Sequence, residues 1–156
     1  MSSYTAFAFH IKVKPEYINV VDDMLKVFEE YDGYQDPIRL EYNNYPYTKE
    51  YCSLQRADRI PFGFMDTYID NAKYSDGTDI DYNKNSWNKE TGEWEVGCSV
   101  NYGYQEIDYY KHKILSEITK VCYYIYEQNE YHETYKEYNI DNGRCFLRKD
   151  YQDTGW

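Results

Sequence analysis

The chain opens on an alternation. In YTAFAFHIKV, residues 4–13, Thr5, Phe7, Phe9, Ile11 and Val13 fall on one side and Tyr4, Ala6, Ala8, His10 and Lys12 on the other. That period of two predicts a strand. Pro15 and Glu16 then open a helix, with Ile18, Val21, Met24 or Leu25, and Phe28 at helical spacing and Gly33 past its end. The alternation returns in EWEVGCSVNY: Trp94, Val96, Cys98, Val100 and Tyr102 face one way, and Glu93, Glu95, Gly97, Ser99 and Asn101 the other. After Gly103, Ile107, Tyr110, Ile114, Ile118, Val121 and Ile125 form an apolar stripe, with Leu115 and Cys122 alongside. The stripe predicts the strongest helix of the chain, running to residue 125 and one turn beyond. The last segment, YKEYNIDNGRCFLRKD, carries an Asn142-Gly143 hairpin turn. Its pairing sets Asp141 opposite Arg144, Glu137 opposite Arg148 and Ile140 opposite Cys145.

The middle is less regular. IRLEYNNYPYTKEYCSL, residues 38–54, suits one or two short strands interrupted at Pro46, and residues 61–92 read as a loop-rich, acidic insertion. Strand, helix, strand, loop, strand, helix, strand predicts a single α+β domain over 1–156. Its order is that of a ferredoxin-like split β-α-β fold, with two helices on one face of an antiparallel sheet. The opening strand and helix resemble those of small ferredoxin-like dimeric proteins, a likeness that carries over no functional residue. If the first strand pairs with 93–102, Ala6, Ala8, Gly97 and Ser99 form a shallow floor on the second sheet face. Tyr4, His10, Glu93, Glu95 and Asn101 would ring that floor. Such a face can remain solvated, mediate a homodimer or hold a ligand.

Composition sharpens this picture. The 156 residues are 42% hydrophobic, enough for a core, and 22 are tyrosine. An A/T-rich gene would explain the tyrosines and asparagines, but not the excess of 28 acidic over 17 basic residues. A net charge of -11 disfavours direct binding to nucleic acid or to an anionic membrane and points to a cationic partner. The four cysteines are scattered without a C-x-x-C pair, as reduced core thiols are. The first residues hold too short an apolar stretch for a signal peptide, so the expected location is cytoplasmic.

Motifs that name a reaction are missing: there is no phosphate loop, nucleophile elbow or dinucleotide fingerprint. Asp79, Asp81, Asn83, Asn85 and Glu90 match positions 1, 3, 5, 7 and 12 of a calcium loop, but Lys84 stands where the turn wants glycine. Histidines 10, 112 and 132 lie too far apart in sequence to share a metal locally, and the KHK of 111–113 is expected on the exposed side of its helix. Glu93 and Glu95 point the same way at about 7 Å, a spacing open to acid–base work, although Trp94 faces the other side. No cofactor is implied.

Residues 121–140 crowd tyrosines among carboxylates. If helix persists there, Tyr126, Tyr131 and Tyr135 lose their aliphatic companions and project as interface anchors among Glu127, Glu130, Glu133 and Glu137. The expected function is a non-enzymatic cytoplasmic protein-binding module: an acidic inhibitor, of the immunity or anti-defence type, occupying a basic nucleic-acid-binding site on a partner such as a nuclease. The alternative is a ferredoxin-like homodimer, ligand-binding or enzymatic, that uses the sheet face around His10, Glu93 and Glu95.

Overall fold

A computed structural model describes residues 4–30, 49–57, 60, 61, 81, 84–129 and 135–150. Their elements are β1 (Tyr4–Val13), α1 (Pro15–Glu30), a short α2 (Lys49–Cys52), β2 (Lys84–Asn88), β3 (Glu93–Asn101) and α3 (Tyr104–Tyr109). Helix α3 runs on through a π-helical stretch (Tyr110–Leu115) and a last turn (Ser116–Ile118), followed by β4 (Thr119–Asn129), β5 (Lys136–Asp141) and β6 (Arg144–Asp150). The strands form one antiparallel sheet in the order β2-β3-β1-β4-β5-β6. The protein is therefore α+β, with two main helices and six strands among the described residues.

One sheet face is apolar because the alternation of β1 and β3 places Phe7, Phe9, Ile11, Trp94, Val96, Cys98 and Val100 together, all buried. Val21, Met24 and Leu25 of α1 and Ile107, Tyr110, Ile114, Leu115 and Ile118 of α3 and its continuation complete that core. Phe9 meets the Trp94 ring edge-on at 5.0 Å and lies 6.0 Å from the Tyr110 ring. Each such phenylalanine contributes roughly 1.5–3 kcal/mol by leaving water. The Tyr17 hydroxyl donates to the Glu117 carboxylate and so fastens α1 to the last turn before β4. That acceptor, together with burial, pushes the phenol pKa up to about 12.

Strand β1 pairs with β3 as expected, and the register sets Ala6 opposite Ser99 and Ala8 opposite Gly97. The closing hairpin also follows expectation in pairing Asp141 with Arg144 and Ile140 with Cys145. Asn142 and Gly143 both take positive φ, 52° and 72°, as a two-residue hairpin turn demands. One shift intervenes: a bulge between Glu137 and Tyr138 sets Lys149, not Arg148, opposite Glu137. Arg148 still reaches Glu137, at 3.5 Å.

Three expectations fail. Helix does not reach residue 125; it ends at Ile118, and Thr119–Asn129 is a strand paired along the other side of β1. Val121 and Ile125 stand four apart and so fit a helical stripe. Pairing with β1 instead uses the alternation of Ile125 against Tyr124 and Tyr126, and β-branched and aromatic residues suit a pleated surface. Val121 is left exposed. The 61–92 segment is not loop throughout, since β2 and the turn at Gly92 (φ 79°) build a hairpin onto β3. In the middle segment, Lys49–Cys52 is helical rather than extended; residues 38–48 lie outside the described residues.

Strand β2 is tied down by its tryptophan. Trp87 Nε1 donates to Asp22 on α1 at 3.1 Å, and Lys26 and Lys89 reach the same carboxylate at 2.9 and 3.3 Å. Lys26 foremost, then Trp87 and Lys89, holds the Asp22 pKa below the usual carboxylate value despite the opposing effect of burial. No helix among the described residues is long and apolar enough to cross a membrane.

Candidate functional site

Of the expected tyrosine–glutamate surface, the described residues Tyr126, Tyr135 and Glu137 are buried and Glu127 is half-buried. Because 119–129 is a strand, Tyr126 points to the second sheet face, where it is 3% exposed, stacks on Tyr124 and meets Tyr135 edge-on. Tyr135 and Glu137 are buried as well. Glu127 turns to the helix side, where its carboxylate lies 2.8 Å from Lys111 Nζ. Glu130, Tyr131 and Glu133 lie outside the described residues.

Lys111 also departs from expectation. It sits four residues after Ile107 and three before Ile114, on the buried stripe, and is 1% exposed rather than solvated beside His112 and Lys113. Its ammonium pairs with Glu127 and lies 3.5 Å from the centre of the Tyr138 ring. Burial pulls the lysine pKa down, but the Glu127 charge outweighs it and holds the pKa above the ordinary value. Within the π-helical stretch, Ser116 Oγ donates to the Lys111 carbonyl at 2.9 Å. Asp108, which is exposed, lies 3.5 Å from the Lys111 ammonium.

Of the calcium-loop residues, Asp79 and Asn83 lie outside the described residues and Asp81 is exposed. Lys84–Asn88 is extended instead of coiled. Asn85 accepts a hydrogen bond from Trp94 Nε1 at 3.0 Å, and Glu90 is exposed in the hairpin turn. Among the described residues, no group of three His, Cys, Asp or Glu side chains could hold a metal ion. Cys98, Cys122 and Cys145 are free, and burial raises all three thiols, Cys122 and Cys145 to about 11, so none is primed as a thiolate.

The second sheet face is where predicted side chains do converge. Its floor is not an open shelf: Ala6, Ala8, Gly97, Ser99 and Gln128 are buried. Ser99 Oγ and Asn101 Oδ1 are buried without a hydrogen-bond partner among the described residues, and Tyr4 pairs with Asn101 in register. Around His10 the face reaches solvent. A β-bulge between His10 and Ile11 lets Tyr123 and Tyr124 of β4 share the space opposite His10. The imidazole accordingly lies 4.3 Å from the Tyr123 ring and 5.6 Å from that of Tyr124. Rings then follow in contact from Tyr123 through His10, Tyr124 and Tyr126 to Tyr135, the last two steps being 4.9 and 4.6 Å. Only the Tyr123 end is widely exposed, at 46%.

Two carboxylates flank this end and differ in their freedom. Glu95 accepts from the Tyr124 hydroxyl at 3.0 Å and pairs with Lys84 at 2.9 Å. Burial raises its pKa, yet the Lys84 and Tyr124 contacts outweigh burial, and the net shift is downward. Glu93 is about half exposed and lies 3.8 Å from His10 Nε2, beyond hydrogen-bond reach. Lys12, opposite Glu93 in register, makes no ion pair with it. The rim thus offers an exposed phenol ring, an imidazole edge and a half-exposed carboxylate, carried on β4, β1 and β3 respectively.

Of the site residues expected here, His10, Glu93 and Glu95 come together; Tyr4 and Asn101 sit farther along the same face. The sequence pattern places Tyr123 and Tyr124 on a helix and Lys84 in a loop, so it does not mark these three as site residues. No protein-family model matches the chain, no curated protein is similar to it, and no solved structure matches it.

Proposed function

We propose that the chain is a non-enzymatic protein-binding module of the inhibitor type, and that it engages a basic partner through the exposed end of the aromatic ribbon at Tyr123, His10 and Glu93. The observation that carries this reading is the bulge, which presents Tyr123 to solvent against His10, whose Nε2 lies 3.8 Å from the half-exposed Glu93 carboxylate. A backed tyrosine is an interface anchor because its large contact area costs little conformational entropy. A partner arginine suits the pair: its guanidinium stacks on the phenol and forks onto the carboxylate. The net charge of -11 adds long-range steering toward a basic surface. In a basic site that otherwise takes nucleic acid, the carboxylate stands for a phosphate and the ring for a stacked base, as in an immunity or anti-defence protein.

The supporting frame is, in this reading, a ferredoxin-like core. The run β2-β3-β1-β4, with α1 between β1 and β2 and α3 between β3 and β4, supports it, while β5 and β6 extend the sheet beyond that plan. Fluorescence anisotropy of a labelled oligo-arginine peptide tests the proposal. Tyr123→Ala and Glu93→Lys are each expected to weaken binding about tenfold, near the lower range for an anchor residue. Equal affinity for wild type and both variants would overturn it.

A further inference from the structure

The exposed end of the aromatic ribbon has an imidazole built into it. His10 keeps 25% of its side chain in solvent and lies 4.3 Å from the Tyr123 ring. Imidazole is the side chain whose ordinary change of charge falls between about pH 5 and 8. The groups that face His10 are mixed in sign. Glu93 and Glu95 approach from β3, and Glu95 is paired with Lys84 of β2. Lys12 lies two residues along β1 on the same face, opposite Glu93. Tyr123 and Tyr124 approach from β4. Two carboxylates are thus set against two ammonium groups, and the charge on His10 decides the sign of the cluster.

We propose that His10 is a proton gate on this site, an inference that rests on the recognition reading above. Its neutral form leaves Tyr123 and Glu93 to a partner guanidinium, and its protonated form turns that guanidinium away. Two effects act in the same direction. With Nε2 3.8 Å from Glu93, an imidazolium claims the carboxylate onto which the guanidinium would fork. It also sets a positive charge against the Tyr123 ring, which then repels a second cation from the same phenol. The bulge makes both possible, since it brings Tyr123 over His10 beside Tyr124. Arginine stays charged throughout this range, so affinity for a basic partner falls with pH through a change on this chain alone.

Anisotropy titrations of the full chain with the labelled oligo-arginine peptide, at about pH 8 and about pH 5.5, test the gate. Wild type is expected to bind about tenfold more weakly at the lower pH, and this ratio is the readout. His10→Phe keeps a ring beside Tyr123 that never carries charge. Its ratio should shrink to about twofold or less, the remainder left by the general loss of negative charge. His10→Gln, smaller and also neutral, answers the same question if the phenylalanine variant does not fold. His10→Lys is charged at both pH values, so it should bind weakly at both. Tyr123-dependent binding of equal strength at the two pH values, or a ratio that both neutral variants leave intact, overturns the gate and spares the recognition site. Absence of Tyr123-dependent binding at the higher pH overturns both.

Discussion

The two faces of the sheet obey different rules. Under the helices, Phe7, Phe9, Trp94 and Val96 pack against aliphatic and aromatic side chains, and the Lys111–Glu127 pair is enclosed. On the second face, small residues and a ribbon of aromatic rings are buried at the middle, and the polar groups gather at a rim around His10. The first face makes the fold stable. The second spends little apolar area on stability at Tyr123, and that exposure is what makes it a candidate for recognition.

Substitutions should separate the faces by size of effect. Phe9→Ala removes a ring from the closed core and is expected to cost about 3–5 kcal/mol, enough to unfold much of the population in a urea melt. Lys111→Ala leaves Glu127 without its buried partner and should cost about 3 kcal/mol. The double change Lys111→Met with Glu127→Leu should recover most of that loss, because it removes both desolvated charges. If Lys111→Ala is harmless, the helix-covered face is not closed around that pair.

Asp22→Asn weakens the tether between α1 and β2 and is expected to cost about 1 kcal/mol, a typical hydrogen-bond contribution. Its acid dependence has a definite sign. The Asp22 pKa is lowered on folding, chiefly by Lys26. The stability it supplies is therefore present above the ordinary carboxylate pKa and lost as pH falls through the lowered folded value. Wild type should lose its advantage over Asp22→Asn across that acid window, as thermal melts will show. Lys111 has the opposite sense: its pKa is raised, so its contribution holds at neutral pH and fades only as pH rises past the ordinary lysine range. Smallest of all in stability, Tyr123→Ala should change the melt by no more than about 0.5 kcal/mol, the usual scale for a surface position. The same change should weaken peptide binding.

How much of this was legible in the sequence depended on whether local pattern and long-range pairing agreed. In β1 and β3 they agree: an uninterrupted alternation fixes both which side is buried and which small residues meet on the other. The Asn142-Gly143 turn likewise announces its hairpin, since its backbone needs residues that tolerate positive φ. In 119–129 they conflict. Val121 and Ile125 satisfy a helical stripe, and only pairing with β1, more than a hundred residues earlier, decides for strand. That one choice moved Tyr126 and Glu137 from surface to interior and hid Tyr123 and Tyr124 from the site. Lys111 was readable from its place on the stripe, but a lysine there looks solvated until its partner, Glu127, is known to face it.

The most direct test of the central claim is a residue-resolved NMR titration of the chain with an oligo-arginine peptide. The largest shifts should fall on His10, Glu93, Tyr123 and Tyr124, with little change along α1 or around Asp141. Shifts scattered over every exposed carboxylate, or centred away from the bulge, would contradict it.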